Sequence, residues 1–242
     1  MNMNIGFRVK LNDYIDDRTK LQCFLNLYFS KFNIMEVKVN DYLTKNRNLE
    51  YFLSEIADKS VSFHLSKNFI NKVEKSDEII LSYISNMDSF LITHVPEIID
   101  ENNFDISIEK IANNTLLFEN PKDFINDNYI EHLIYFYNKL LSYNKCNICL
   151  DLGHLYFNEL MYNNYNNIDV LLNNISKDRV LEYHLHDYNL VKDHLPIGMG
   201  LLQFNQLDVC INDEKRIILE TDVSKYDLSD GVEQVKKILT RR

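Results

Sequence analysis

Short runs of β-branched and aromatic residues recur along the chain, and most are followed by a stretch with helical periodicity. The runs begin 25 to 36 residues apart, which suits repeated strand–helix units that need about 30 residues each. Strands that alternate with helices predict a parallel sheet with helices packed outside it. The eight predicted strands are residues 5–9, 34–39, 61–65, 90–94, 115–119, 147–151, 180–186 and 216–220.

The predicted helices differ in how clearly the sequence marks them. Residues 127–143 carry apolar side chains at the spacing of one helical face. The run of Asn and Tyr in residues 155–178 favours a long loop before a helical part. A Ser-Asp pair at residues 229–230 is a suitable cap for a last helix.

Eight strand–helix units fit either a closed barrel or an open, doubly wound sheet. An open dinucleotide-binding sheet is expected to show a Gly-rich turn after its first strand, and this chain has only five Gly and no such turn. Its 242 residues match the (β/α)8 barrel, for which about 250 is typical. We therefore predict the α/β class and one (β/α)8 TIM-barrel domain over residues 1–242.

The composition and net charge of the chain argue against some classes of function, in particular binding to nucleic acid or to a membrane. The chain is 45% hydrophobic and 26% charged, an ordinary globular balance, and its formal net charge is -10 without a basic stripe. We therefore do not expect bulk nucleic acid as a partner. No signal-peptide pattern and no apolar run near 18 residues occur, so we expect a cytoplasmic protein without membrane contact. Cys146 and Cys149 have the spacing of half a zinc knuckle, but no second pair exists and Cys149 is interpreted as a small core residue.

The candidate chemistry lies where the predicted strands end. Six of the seven His fall at strand ends or in the loop after the seventh strand, and only His132 lies inside a predicted helix. The carboxyl ends of all barrel strands converge on one mouth, so these side chains are expected to be neighbours. Imidazole and carboxylate are ligands that Zn²⁺, Mn²⁺ and Fe²⁺ accept. The candidate metal ligands are His64, His94, Glu119, Asp151, His154, His184, His186, His194 and Glu220.

Alternation along the seventh predicted strand separates two faces. His184 and His186 are expected to face the barrel axis, and Glu182 shares that parity one layer deeper as a candidate partner of a ligand. The residues expected to face the outer helices are Leu181, Tyr183 and Leu185.

The strand-end motifs resemble those of the xylose-isomerase-like TIM barrels (AP endonuclease family 2), which include endonuclease IV and sugar phosphate isomerases and epimerases. The motifs are residues 117–120, 149–154, 184–187, 193–200 and 219–220. The resemblance implies one divalent ion held by Glu119, Asp151, Glu220 and one strand-seven His, either His184 or His186.

The endonuclease-like branch of this family adds His ligands for two more ions, which implies one to three Zn, Mn or Fe ions here. The matching positions are filled by His64, His94, His154 and His194. The family's Asp-x-His pattern after strand seven is altered, because Lys192 stands two residues before His194 and the nearest Asp is Asp193. The residues taken as candidate substrate contacts are Asp187, Lys192 and Asp193.

Several reactions remain open for such a site. The extra His ligands favour a phosphodiester hydrolase that acts on a small nucleotide or cofactor rather than on bulk DNA. The alternative is a sugar or sugar phosphate isomerase or epimerase with Glu119 and Glu220 as the catalytic acid/base pair. A multinuclear iron oxidase acting on a peptide beside a partner protein, and a barrel that only binds a ligand, complete the alternatives.

Overall fold

The computed structural model describes residues 4–98, 101–122, 128–162, 167–208, 215–221, 230, 233, 234 and 236. Within them, eight parallel strands pair in chain order and close into a barrel, so the predicted (β/α)8 fold is confirmed. The strands are β1 (Ile5–Val9), β2 (Ile34–Lys38), β3 (Ser60–His64), β4 (Phe90–His94), β5 (Thr115–Glu119), β6 (Cys146–Asp151), β7 (Val180–Leu185) and β8 (Arg216–Leu219). Every predicted strand end lies within one residue of the observed one.

Helices connect the strands on the outside of the barrel. They are α1 (Arg18–Phe29), α2 (Asp41–Thr44), α3 (Leu49–Glu55), α4 (Lys75–Ile84), α5 (Glu101–Lys110), α6 (Tyr129–Lys139), α7 (Leu152–Tyr162) and α8 (Asn167–Asn174). Short 3-10 turns occupy Leu11–Asp13, Leu140–Ser142, Lys177–Arg179 and Phe204–Leu207. Most of the predicted last helix lies outside the described residues. In the described part of the chain, no helix combines the length and apolar character needed to cross a membrane.

The long loop predicted at the start of residues 155–178 is absent from residues 155–162, which are helical, and residues 163–166 lie outside the described residues. Helix α7 instead begins directly after β6, and a carboxylate oxygen of Asp151 accepts the backbone N–H of His154 at 2.8 Å. This bond satisfies a donor in the first turn, where the helix has no internal acceptor. Asp151 therefore shapes the local backbone that carries His154.

A β-bulge interrupts the pairing of β6 with β7. Cys149 pairs with Glu182, although the preceding pair ends at Val180, so Leu181 is an extra residue in β7. Leu181 packs against a small inner cluster that contains Leu117 and Cys149, which confirms Cys149 as a core residue. The prediction that Leu181 faces the helices is wrong, because an extra residue resets the alternation of a strand.

Apolar packing on both sides of β5 supports the mouth of the barrel. Outside, the Phe118 ring lies 5.8 Å from that of Phe104 in α5 and 5.0 Å from that of Phe136 in α6. Inside, Leu117 joins Cys149 in the inner cluster. The next residue of inward parity on β5 is Glu119, so its carboxylate rests on a packed base.

Candidate metal centre

The predicted ligands meet at the mouth formed by the carboxyl ends of the strands. Most of them are buried, whereas His94 and His194 keep 13% and 34% of their side chains exposed. Three of the observed groups of donor atoms contain all nine ligands: His64, His94, Glu119, Asp151, His154, His184, His186, His194 and Glu220.

The first group, here the central group, consists of Glu119, Asp151, His184 and Glu220. One donor atom of each lies within 4.8 Å of the other three. Nδ1 of His184 is 2.7 Å from Oε1 of Glu220 and 3.6 Å from Oε1 of Glu119. Three carboxylates and one imidazole form a donor set typical of a divalent ion.

The second group, here the outer group, consists of His64, His94 and Glu119. Nε2 of His64 lies 2.8 Å from Oε2 of Glu119, and Nε2 of His94 lies 3.4 Å from the same oxygen. The other oxygen of this carboxylate faces His184 of the central group. Glu119 therefore belongs to both the central and the outer group.

The third group, here the histidine group, consists of His154, His186 and His194. The rings of His186 and His194 stack with centroids 4.2 Å apart, and the His154 ring lies 4.9 Å from that of His186. The two strand-seven histidines thus belong to different groups, His184 to the central one and His186 to this one. His186 lies in the histidine group, whereas Lys192 lies outside the lining of the mouth.

The central group contains buried polar atoms that lack a hydrogen-bond partner and that could coordinate a cation. Oε1 of Glu119, Oδ2 of Asp151, Nδ1 of His184 and Oε1 of Glu220 are buried without a hydrogen-bond partner among the described residues. A buried polar atom left unpaired costs about 1–3 kcal/mol, and more when it is charged. The guanidinium of Arg8 contacts the same oxygen of Glu220. One divalent ion would satisfy all four atoms, so the residues fit a metal.

Two residues that the sequence interpretation missed, Glu36 and Arg8, support the central group. Oε2 of Glu36 lies 2.8 Å from Nε2 of His184, and Arg8 bridges Glu36 and Glu220. Arg8 is the lone charged residue of β1, and Glu36 lies between apolar residues inside β2, each with the parity that faces the axis. That combination was the signal in the sequence that could have identified them.

Glu182 lies one layer below His184, as its parity predicted. Its Oε1 is 3.2 Å from Nε2 of His184, and its Oε2 lies 2.8 Å from Nε of Arg216. Ser62 donates to the same carboxylate at 3.0 Å. Glu36 and Glu182 therefore hold Nε2 of His184 from two sides and leave Nδ1 turned toward Glu119 and Glu220.

The electrostatic balance keeps most donors deprotonated. Burial raises the pKa of the Glu119 carboxyl, but His94 and His184 lower it more, so the pKa lies well below its ordinary range. Burial also raises the pKa of Asp151, and neighbouring imidazoles outweigh it and leave a pKa of about 2. Burial lowers the pKa of His154 to about 3. At neutral pH these groups are in the state that metal binding requires.

His184 and His186 are the exceptions. Burial lowers the pKa of His186, but the Asp151 carboxylate outweighs burial and raises it. Burial lowers the pKa of His184, but its contacts with Cys149 and with the carboxylates of Glu36 and Glu119 outweigh burial and raise the pKa well above its ordinary value. Without a cation, His184 therefore carries a proton that compensates its carboxylate neighbours. Binding of a metal at Nδ1 would release that proton.

The Asp187 carboxylate, a predicted substrate contact, is buried and bound to the backbone of its own loop. It is fully buried, and its two oxygens accept backbone N–H groups of Tyr188, Gly198, Gly200 and Leu202 at 2.8 to 2.9 Å. The carboxylate thus fixes the loop that follows β7. A role in binding substrate remains a prediction, and the geometry favours a structural role.

The other residues of the altered pattern separate in space. Lys192 is exposed and lies outside the lining of the mouth, whereas Asp193 lines it. Oδ2 of Asp193 lies 3.0 Å from Nζ of Lys122 and 3.2 Å from Nδ1 of His194.

His132, which the sequence placed apart from the site, lies on α6 with Nε2 3.0 Å from the carbonyl oxygen of Pro96.

A cavity of about 1010 Å³ opens directly onto the donor atoms. Six candidate ligands line it, together with residues from the loops after β2, β3 and β4. Cavities that bind small molecules have volumes of about 300–1,000 Å³. The mouth is thus large enough for a molecule of nucleotide size. The lining ligands are His64, His94, Glu119, His154, His194 and Glu220.

Solved structures with the same architecture span nearly the whole chain. The TTHB071 protein from Thermus thermophilus, soaked with ZnCl2, aligns with a TM-score of 0.61 and 14% identity over 98% of this chain and 97% of that protein. L-ribulose 3-epimerase aligns with a TM-score of 0.58 and 13% identity over 96% of this chain and 86% of its own. A probable 2-pyrone-4,6-dicarboxylic acid hydrolase from Acinetobacter baumannii aligns with a TM-score of 0.55 and 12% identity over 99% and 93%.

No protein-family model and no curated protein matches the sequence. The structural likenesses establish the fold, which is the barrel architecture that the strand-end motifs predicted. At 12 to 14% identity they carry the comparison no further than the fold.

Proposed function

We propose that this chain is a metal-dependent enzyme that hydrolyses a phosphoester bond in a small molecule, using two or three divalent ions at the barrel mouth. The observation that carries the proposal is the arrangement of three adjacent donor groups, two of which share Glu119. A site for one ion would need the central group alone. The unsatisfied donor atoms of that group support a bound cation.

Bound divalent ions would supply Lewis-acid polarisation of a phosphoryl oxygen and activation of water. The chain's own residues provide the geometry for this chemistry. Glu119 aligns the central and outer groups through its two oxygens, and Arg8 together with Glu36 holds Glu220 and His184 in place. The partly exposed His94 faces the cavity, where a substrate would enter.

The charge of the molecule supports a small substrate. A net charge of -10 repels a long phosphate backbone, and the donor atoms lie at the base of a cavity rather than on an open groove. A small phosphoester meets no such long-range repulsion, because the bound ions neutralise the carboxylates that it approaches.

The test is metal content per folded chain, measured by elemental analysis of protein purified without added chelator or metal, together with turnover of bis(p-nitrophenyl) phosphate. We expect two or three equivalents of zinc or manganese and measurable hydrolysis. Glu220→Gln should reduce turnover by at least about a hundredfold while the fold is kept. The control, His132→Ala, should leave turnover within about twofold. The proposal would be contradicted if the protein bound no metal even after metal was added back, or if Glu220→Gln kept wild-type turnover.

A second candidate function is the isomerisation or epimerisation of a sugar or sugar phosphate. It is favoured by Glu119 and Glu220 in one donor group, a placement that suits proton transfer on two sides of a bound carbon. The likeness to L-ribulose 3-epimerase is compatible with it. A single equivalent of metal would favour this reaction, and two or three equivalents of iron would favour oxidation of a peptide.

A further inference from the structure

The cavity above the metal centre is lopsided. Its wall extends along the loops after β2, β3 and β4, over residues 38–41, 64–68 and 94–98. Among the described residues of the loop after β7, Asp193 and His194 line it. A substrate that extends from the donor groups toward the ends of β2 and β3 would contact the side chains of this wall.

Two lysines stand on this side of the cavity, one on each side of a candidate ligand. Lys38 ends β2 and is paired in register with His64 of β3. It has the same inward parity as Glu36, which contacts the central group. Lys67 follows His64 by three residues, in the loop after β3, and lines the same cavity. Both lysines therefore line the cavity on the side of the outer group of donors.

Neither lysine forms an ion pair with a carboxylate of any residue that the structure describes. Burial lowers the pKa of Lys38, and the charges of Arg8, Lys67 and Lys10 lower it further. Lys38, Lys67 and Arg8 thus form a group of cations in a cavity wall that also carries carboxylates, on a protein whose net charge is -10. A cluster of like charges is unfavourable alone and is stabilised when an anion binds between its members.

The acidic side chains of the same wall are largely engaged elsewhere. Asp41 pairs with Lys45 at 2.6 Å, and Asp193 pairs with Lys122 at 3.0 Å. Glu74 caps the start of α4. Glu97 is exposed on the loop after β4 and is the acidic group that competes with a bound anion.

We propose that Lys38 and Lys67 form a phosphate subsite that binds a second, non-reacting phosphate group of the substrate beside the outer group of donors. The inference rests on the proposed function and narrows its substrate to a small molecule with a phosphate group in addition to the bond that is cleaved. The side chains of Asn68 and Asn71 lie in the same wall and provide amide donors for the remaining phosphate oxygens. Two flexible cations and neutral donors match a phosphate better than the planar pair of oxygens of a carboxylate.

The experiment is isothermal titration calorimetry of the full-length protein with inorganic phosphate. It compares the wild type with Lys38→Met/Lys67→Met, with the charge-preserving Lys38→Arg/Lys67→Arg, and with Lys59→Met. Lys59 pairs with Asp58 just before β3, at the opposite end of the barrel, and serves as the matched control. Metal content is measured on every sample, so that a change in phosphate affinity can be distinguished from an effect of lost ions.

We expect the dissociation constant for phosphate to rise about tenfold for each lysine removed, and therefore about a hundredfold in the Met double variant. The Arg variant should stay within about fivefold of the wild type, and Lys59→Met within about twofold. Equal affinity in the wild type and the Met double variant, at equal metal content, would overturn the subsite.

The two proposals fail in different ways. Lysine-dependent phosphate binding by a protein without metal or hydrolysis would support the subsite and contradict the hydrolase. Metal and hydrolysis in a protein whose phosphate affinity ignores both lysines would support the hydrolase and contradict the subsite.

Discussion

At the scale of single residues, His184 acquires its role from its neighbours rather than from its own position. Glu36 and Glu182 lie against Nε2, and this turns Nδ1 toward Glu119 and Glu220. An imidazole with one nitrogen fixed by a carboxylate is a better-oriented ligand, because its ring cannot rotate out of the site. The buried layer beneath the metal centre is therefore expected to affect metal affinity.

Glu182→Gln tests that layer. The amide keeps the size of the side chain but loses the charge that faces His184 and Arg216. We expect the affinity for zinc, measured by competition with a chromophoric chelator, to fall about 10–100-fold. Glu131→Gln, at an exposed position of α6, is the control and should bind zinc like the wild type. Unchanged affinity in Glu182→Gln would mean that Glu36 alone orients the ring.

The cysteines offer a second test at this scale. Burial raises the pKa of the Cys146 thiol to about 12 and raises that of Cys149 as well, whereas Cys23 is exposed. Both buried thiols therefore stay protonated at pH 8, and the thiolate is the reactive form. In a Cys210→Ser background, we expect one thiol to react rapidly with Ellman's reagent and three after unfolding. Rapid reaction of two or more thiols in the native protein would contradict this packing.

At the scale of elements, the loop after β7 and the start of α7 bring the histidine group together. Asp151 caps α7 at the backbone of His154, and Asp187 holds the loop that contains His194. Asp187 also pairs with Leu195 through backbone hydrogen bonds. His194 itself has φ of 55°, a left-handed conformation that is unfavourable outside Gly and needs support from its surroundings.

Asp187→Asn tests the support of this loop. The amide replaces one acceptor oxygen with a donor that faces backbone N–H groups. We expect the free energy of unfolding, from urea denaturation, to fall by about 2–4 kcal/mol. We also expect a reduced metal stoichiometry, because His194 loses its position. Wild-type stability in this variant would show that the loop is held by other contacts.

At the scale of the whole molecule, the barrel collects donors from β3, β4, β5, β6, β7 and β8 into one centre. A cation bound at this centre would join strands that are far apart in sequence, and its binding energy would contribute to the stability of the closed barrel. We propose that residues 1–242 form one cooperative domain. The whole domain should then unfold in one transition, and metal binding should stabilise all of it.

Removal of metal should therefore lower the melting temperature. Removing an ion that is present at about a hundred times its dissociation constant lowers the free energy of unfolding by about 2.7 kcal/mol. For a chain of this length, that loss lowers the melting temperature by about 5–10 °C. The chain has no Trp, so circular dichroism and Tyr fluorescence are the suitable signals. We expect both to change in one transition. Two separated transitions would contradict a single domain, and an unchanged melting temperature would contradict a tightly bound ion.

Sequence patterns predicted the larger part of this protein. Repeated strand–helix units gave the barrel, and the strand-end positions of His, Asp and Glu gave every member of the three donor groups that form the candidate metal centre. The predicted barrel is confirmed, and the candidate donors lie together because a parallel barrel places the carboxyl end of every strand at the same mouth. Glu36 and Arg8 went unnoticed because a charged residue inside a strand is informative only when its parity is compared with that of its neighbours.

The sequence by itself determined the fold, the end of the barrel that holds the site, and the set of donor types. Only the tertiary structure decided how the donors divide: His184 joins the central group, His186 joins the histidine group, and Asp187 serves the loop. The structure also placed Leu181 inside through a β-bulge. The reason is physical, since strand periodicity fixes which face a side chain takes, whereas bulges, loop paths and contacts between strands distant in sequence fix its partners.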